Sequence, residues 1–325
     1  MKHKRKLLAF IIITILAVFA IVLYKGRLTY TSWQITSYAV NKDSLSWAAF
    51  TWVSEDLSGK HFDRTSMFIP CRLDDIPNIV SFQFDLGADL TGVYETNYSS
   101  FYPQNPQLKD NIKKVSFSNK KYFGNINIRF GDYAATTPTS YVFAGYGELL
   151  DNMKPGDTIH IGTIAGDMFK NKVLIMDYPR QRFAIADTLP AAFSQVALTA
   201  ISLDKKNRAL LPLTIKGKTY KVLFDNGSSI FPLLTNANRM AEFSNSPDVD
   251  TIQISSWGVV HGVTGKWIKE PFTLGGQQFN AAMIYADHRK IKDNNEWDAI
   301  AGNALFWNNT IIIDFRNKKF GVKYK

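Results

Sequence analysis

Two stretches of this chain repeat each other in order and in spacing, and that duplication restricts the possible folds more than any single motif does. An apolar segment runs into Asp-x-Gly twice, first as Ile79-Val80-Ser81-Phe82-Gln83-Phe84-Asp85-Leu86-Gly87-Ala88. The second copy reads Thr219-Tyr220-Lys221-Val222-Leu223-Phe224-Asp225-Asn226-Gly227-Ser228-Ser229. Upstream, Ile69-Pro70 and Leu211-Pro212 hold matching places. Downstream, Ile164-Ala165-Gly166-Asp167 answers Ile300-Ala301-Gly302-Asn303. Then Phe169, Asn171, Ile175, Asp177, Tyr178 and Phe183 answer Phe306, Asn308, Ile312, Asp314, Phe315 and Phe320 at a constant offset of 137. From Asp to Gly the separation is 81 residues in the first copy and 77 in the second. Matching blocks in one order at near-equal separation mark two copies of one structural unit.

The local pattern within each copy is that of strands. Short runs rich in Val, Ile, Phe and Tyr alternate with Gly, Asn, Asp and Pro turns, as in Ile126-Asn127-Ile128-Arg129-Phe130 before Gly131-Asp132. In each half an apolar strand carries its aspartate to a sharp turn, where glycine permits a close approach that other residues resist. The Ile-Ala-Gly block supplies small and aliphatic bulk beside that turn. Two such lobes face to face bring Asp85 and Asp225 together across a cleft.

Composition sets the remaining bounds. The 325 residues are 46% hydrophobic and 20% charged, which suits an ordinary globular protein. The net charge is +10, yet Lys2, Lys4, Arg5, Lys6, Lys25 and Arg27 flank one apolar run at 7–24. Without those six the balance is +4, too mild to argue for nucleic acid, and no basic stripe with interleaved aromatics appears. The run is 18 residues long, enough for a bilayer crossing and longer than the usual core of a cleaved signal. Its flanking charge predicts a cytoplasmic tail and an extracytoplasmic body, or a secreted body if the segment is cleaved. The expected organisation is therefore tail and anchor at 1–28, a first lobe at 29–190 and a second at 191–325. Cys71 is the sole cysteine, so no intramolecular disulfide forms, and its apolar setting predicts an inert buried thiol.

The doubled Asp-x-Gly turns resemble the aspartic peptidases, both the retroviral-type half-enzyme and the two-lobed pepsin type. Phe84-Asp85-Leu86-Gly87-Ala88 and Phe224-Asp225-Asn226-Gly227-Ser228-Ser229 are similar to that family's apolar-strand and Asp-Thr/Ser-Gly signature. The late blocks ending in Gly166 and Gly302 resemble its hydrophobic-hydrophobic-Gly element. The resemblance spans about 65–325. It implies an all-β fold of two related β-barrel lobes, here preceded by the transmembrane helix, with Asp85 and Asp225 as catalytic residues. Leu86, Gly87, Ala88, Asn226, Gly227, Ser228, Gly166 and Gly302 are then supporting positions. It further implies a polypeptide substrate, a complete site in a monomer, and neither metal nor cofactor. Flap candidates are 115–124 with Tyr122 and 255–267 with Trp257. At the family's second position stands a hydroxyl residue that bonds across the lobes. Leu86 cannot make that bond, and Asn226 can do so only through its amide.

Two other readings compete with an active peptidase. The same fold without turnover would bind peptides in the same cleft, or the Asp-x-Gly turns are ordinary turns of a structural β-protein. Further motifs fall away on inspection. Gly262-Val263-Thr264-Gly265-Lys266-Trp267 lacks the glycine spacing and the Ser or Thr of a phosphate loop. His3, His61, His160, His261 and His288 show no metal-ligand spacing. No Gly-x-Ser-x-Gly elbow is present.

Overall fold

A computed structural model describes residues 13–14, 30–38, 45–74, 76–115, 118–151, 154, 157–287 and 296–324. These residues are mostly β-sheet, and the described α-helices are short, Glu95–Ser99 and Ala237–Phe243. Three sheets organise the chain. A nine-stranded sheet belongs to the first half, a ten-stranded sheet to the second, and a six-stranded sheet takes strands from both.

The duplication is visible in strand pairing. In the first lobe Val80–Phe84 runs parallel to Ile159–Ile164, which pairs antiparallel with Gly92–Tyr94. In the second lobe Lys218–Phe224 runs parallel to Ala299–Ala301, which pairs antiparallel with Leu233–Thr235. On its other side each aspartate-bearing strand pairs antiparallel, Val80–Phe84 with Lys60–Leu73 and Lys218–Phe224 with Ala209–Ile215, so both are flanked on both sides. Val80, Ser81, Phe82 and Phe84 are all buried, the pattern of a strand covered on both faces rather than one alternating with water.

The shared sheet joins each copy to its twin. Val173–Asp177 pairs antiparallel with Thr310–Asp314, and Ile175 faces Ile312 at the centre. Since those residues are equivalent at the repeat offset, a local twofold axis passes between them, and the contact is self-complementary in the manner of a symmetric dimer. Their side chains enter a buried cluster with Val173, Ala184 and Phe193. Cys71 is free and buried, and burial pushes its thiol up, in keeping with an inert role.

The expected N-terminal transmembrane helix is corrected here. A crossing needs about 18 or more continuous apolar helical residues. Among the described residues no helix is long and apolar enough to cross a membrane. Of the run at 7–24, only Ile13 and Thr14 lie within the described residues.

Truncating the central pair tests the shared sheet. Ile312→Ala opens a cavity at the lobe junction and is expected to cost about 2–5 kcal/mol in denaturant unfolding. A loss well under 1 kcal/mol would show that the junction does not carry the lobes' stability.

Candidate active site

Each aspartate is delivered to the cleft floor by the end of a buried central strand. The Asp85 N–H donates to Ile164 O and the Asp225 N–H to Ala301 O, both at 2.9 Å, so the sheet ladder reaches the aspartates themselves. The chain then turns sharply. Ala88 N–H donates to Asp85 O at 3.2 Å and Ser228 N–H to Asp225 O at 3.1 Å. Within these turns the side-chain oxygens collect backbone donors. Asp85 Oδ1 accepts from Gly87 and Ala88 N–H at 3.0 and 2.9 Å. Asp225 Oδ1 accepts from Gly227 and Ser228 N–H at 2.8 and 3.3 Å, and its Oδ2 from the Ser228 hydroxyl at 2.9 Å.

The two carboxyl groups meet, hydrogen-bonded to each other. Their approach is reciprocal. A Cβ on Gly87 would overlap the Asp225 carboxyl, and one on Gly227 would lie 2.6 Å from the Asp85 carboxyl carbon. Each glycine therefore lies flat against the opposite aspartate, a fit only a residue without a side chain allows. Burial, then the charge on Asp225 and the hydrogen bond to it, hold the Asp85 carboxyl well above the usual carboxylate range, against the lowering pull of the Ala88 and Gly87 N–H groups. Two like charges in contact in a buried site cannot both persist, so the pair shares a proton. Asp85, with fewer donors, is the better holder of that proton. Nearby, burial and the charge of Asp85 push the Tyr94 hydroxyl up strongly.

Leu86 and Asn226 hold the lobes together unequally. The Asn226 side-chain oxygen accepts from Leu86 N–H at 2.6 Å across the lobe boundary. Leu86 returns no such bond, and its side chain is buried in the main core. A buried relay takes its place on the other side. Tyr178 donates its hydroxyl hydrogen to Asn303 Oδ1 at 2.6 Å, and Asn303 Nδ2 donates to Asn226 O at 3.0 Å and Ser229 Oγ at 3.1 Å. In the sequence the relay leaves its trace in Tyr178, whose repeat partner is Phe315, a ring without the hydroxyl that donates here.

Gly166 and Gly302 do not occupy equivalent places. Gly302 N–H donates to Phe231 O at 3.1 Å, while the comparable donor in the first lobe is Ala165, bonded to the Thr91 hydroxyl at 2.9 Å. A Cβ on Gly302 would strike its own lobe's turn at Ser228 O, whereas one on Gly166 would meet Asn207 O of the second lobe at 2.7 Å. The glycines align in sequence one residue out of structural register.

The dyad lies in a cleft of about 940 Å³. Its walls include Leu57, Phe68, Tyr94, Tyr146, Phe231, Ile254 and Ile300, with Arg208 and Asp287 among the charged groups. His160 packs against Phe68 and Tyr94, its Nδ1–H donating to Ser81 O at 3.3 Å, and burial brings its pKa down to about 4.

Two hairpins roof this cleft. Thr51–Leu57 and Lys60–Leu73 form one, and Asp248–Ser256 and Val259–Ile268 the other. Both tips use left-handed pairs, Ser58 (φ 53°) with Gly59 (φ 74°) and Trp257 (φ 52°) with Gly258 (φ 76°), which suit two-residue hairpin turns. The first hairpin crosses to the second lobe, where Lys60 pairs with Asp250 and Ser58 Oγ accepts from Gln253 N–H at 2.7 Å. The second crosses back, placing Trp257 with ring centroids 5.2 Å from Phe143 and 5.5 Å from Tyr146.

Trp257 thus sits at the cleft. Tyr122 does not line it. It lies within Lys121–Phe130, paired between Lys113 and Tyr141, and the hairpin from Thr51 to Leu73 takes the roofing position instead. Of the candidate segment 115–124, residues 116 and 117 lie outside the described residues. The role of the Thr51–Leu73 hairpin is not legible along the chain, because a Ser-Gly turn says nothing about what its tip will touch.

No family model matches the chain, and no curated protein matches it. Among solved structures the chain is similar to the aspartic proteinase from Irpex lacteus, at 10% identity and a TM-score of 0.47, covering 87% of this chain and 98% of that one. It is also similar to the basic 7S globulin from soybean, at 9% identity and a TM-score of 0.46, covering 86% of this chain and 95% of that one. At that distance the likeness carries no chemistry, which rests on the residues themselves.

The raised Asp85 carboxyl makes a pH prediction. Its stabilising contribution belongs to the protonated form, so it is complete below the ordinary carboxylate range near pH ~4 and is lost as pH rises through the elevated folded value. Asp85→Asn keeps the acceptor oxygen and removes the charge. Its thermal midpoint is expected to match wild type near pH ~4 and to exceed it near pH ~8. Equal midpoint differences at both pH values would contradict the buried, proton-sharing pair.

Proposed function

We infer that this chain, whose two-lobed fold is similar to that of the pepsin-like aspartic peptidases, hydrolyses peptide bonds with Asp85 and Asp225. The observation that carries this reading is the reciprocal packing of Gly87 on Asp225 and Gly227 on Asp85, which brings two carboxyls into one hydrogen-bonded pair. A shared proton gives such a pair an acid and a base side by side. Asp225 takes a proton from water as its oxygen attacks the peptide carbonyl, and Asp85 gives its proton to the carbonyl oxygen. The tetrahedral diol then collapses as Asp225 passes its proton to the amide nitrogen, which leaves, while Asp85 takes a proton back from a diol hydroxyl, with no acyl-enzyme. An extended polypeptide fits a cleft walled by strands and aromatic side chains.

Leu86 favours a second reading, a peptide-binding module without turnover, since its own side chain contributes no hydrogen bond across the lobes. Kinetics separates the two. Wild type, Asp85→Asn and Asp225→Asn are assayed on unfolded protein and peptide pools across about pH 3–8, where such a dyad titrates. Cleavage is expected with a bell-shaped profile, reduced about 10²–10⁴-fold by either substitution. Cleavage that survives both substitutions sinks the peptidase reading, and peptide binding without turnover establishes the module.

A further inference from the structure

Arg208 belongs to the second lobe, yet its guanidinium ends on the first lobe's aspartate turn. Its Nη1 donates to Gly87 O and to Asp89 Oδ1, both at 3.1 Å, and its Nε donates to Asp204 Oδ2 at 2.6 Å. The Arg208 side chain is 16% exposed and that of Asp204 only 1%. Asp204 also accepts from the backbone N–H of Lys206 and Arg208, at 2.8 and 2.9 Å, so one carboxylate both closes the 204–208 turn and aims the guanidinium. The same turn is anchored to the first lobe a second time, where Asn207 Nδ2 donates to Gly166 O at 2.6 Å.

The acceptor of the Arg208 bond gives the contact its consequence. Gly87 O and Ala88 N–H are the two ends of one peptide plane, and that N–H donates to Asp85 Oδ1 at 2.9 Å. Gly87 itself lies against the Asp225 carboxyl. Fixing this plane therefore sets the Asp85 carboxyl on one side and its spacing from Asp225 on the other. A guanidinium on the carbonyl also polarises the peptide and strengthens its N–H as a donor. Asn226 reaches instead the Asp85–Leu86 peptide plane, through Leu86 N–H. Nothing from the Leu86 side chain helps, because it is aliphatic.

The geometry points to Arg208 as a positioning residue for the Asp85–Asp225 pair, supplying from the second lobe the cross-lobe restraint that Leu86 does not. This rests on the hydrolytic reading for its effect on rate, and on geometry alone for its effect on the carboxyls. The charged and titratable groups around the arrangement are Asp225 and Tyr94 facing Asp85, and Asp89, Asp204 and Lys206 around the guanidinium.

The test uses Arg208→Gln and Arg208→Lys, each checked for folding by thermal melting. The aspartate carboxyls are titrated by carbon-13 NMR, and peptide kcat/KM is followed over about pH 3–8. In Arg208→Gln the Asp85 titration is expected to move upward, the alkaline limb of kcat/KM to move with it because Asp85 is the acid, and the rate to fall about 10–100-fold. Lysine keeps charge but not the planar fork that reaches Asp204 and Gly87 together, so it should move the titration in the same direction by less. A merely structural arginine would change melting and leave the titration in place. Wild-type Asp85 titration in both variants overturns the proposal, and if only Arg208→Lys folds, wild-type titration there overturns it alone. The NMR readout needs no turnover, so a chain that cleaves nothing but shows the shift refutes peptide hydrolysis and upholds the role of Arg208.

Discussion

Two carboxyl groups pressed together out of water are the demand that the rest of this molecule answers. Bringing like charges into contact in a buried site is unfavourable unless one is neutralised, and a shared proton is the available remedy. The chain accepts that penalty at one point and surrounds it with ordered backbone donors. The ends of two central strands, the ladder bonds from Asp85 to Ile164 and from Asp225 to Ala301, and the sheet joining the lobes all hold that point in place. Where the shared sheet meets its own twin at Ile175 and Ile312, the axis of the duplication fixes how the lobes face each other.

The duplication is exact enough for topology and inexact where chemistry is set. Asp225 has three donors including the Ser228 hydroxyl, whereas Asp85 has two backbone donors, with Ala88 offering no hydroxyl. Asn226 crosses the lobe boundary and Leu86 does not. A symmetric pair gives no preference for where the proton resides. The unequal donor sets remove that degeneracy. The relay of Tyr178, Asn303 and Asn226, together with Arg208 on Gly87, supplies from other residues the stiffness that a pair of facing hydroxyls would give.

Above the dyad the two lobes exchange hairpins. One crosses with Lys60 and Ser58, the other with Trp257, and the aromatic wall of Tyr94, Phe143 and Tyr146 receives the latter. On the proposed reading these contacts part to admit an extended chain; the first hairpin holds by Lys60, Ser58 and the apolar packing of Leu57 and Phe62, the second by aromatic contacts of Trp257.

Much of this was legible in the chain. The repeated blocks, with their constant offset from Phe169 to Phe183, determined two like lobes, the strand-rich fold and the identity of the paired aspartates, because strand periodicity and turn chemistry are local properties. Other features were decided only by the tertiary structure. Arg208 and Asn303 are ordinary residues until folding carries them across the lobe boundary, and Tyr122 and the Thr51–Leu73 hairpin exchange expected places because sequence spacing says nothing of which edge reaches the cleft. Gly166 and Gly302 match as letters yet differ by one position in space, since the ladder bonds from the aspartates set the register. The sequence by itself determined which residues repeat, because repetition is written along the chain. Which of them meet is a matter of long-range packing, and only the folded lobes decided it.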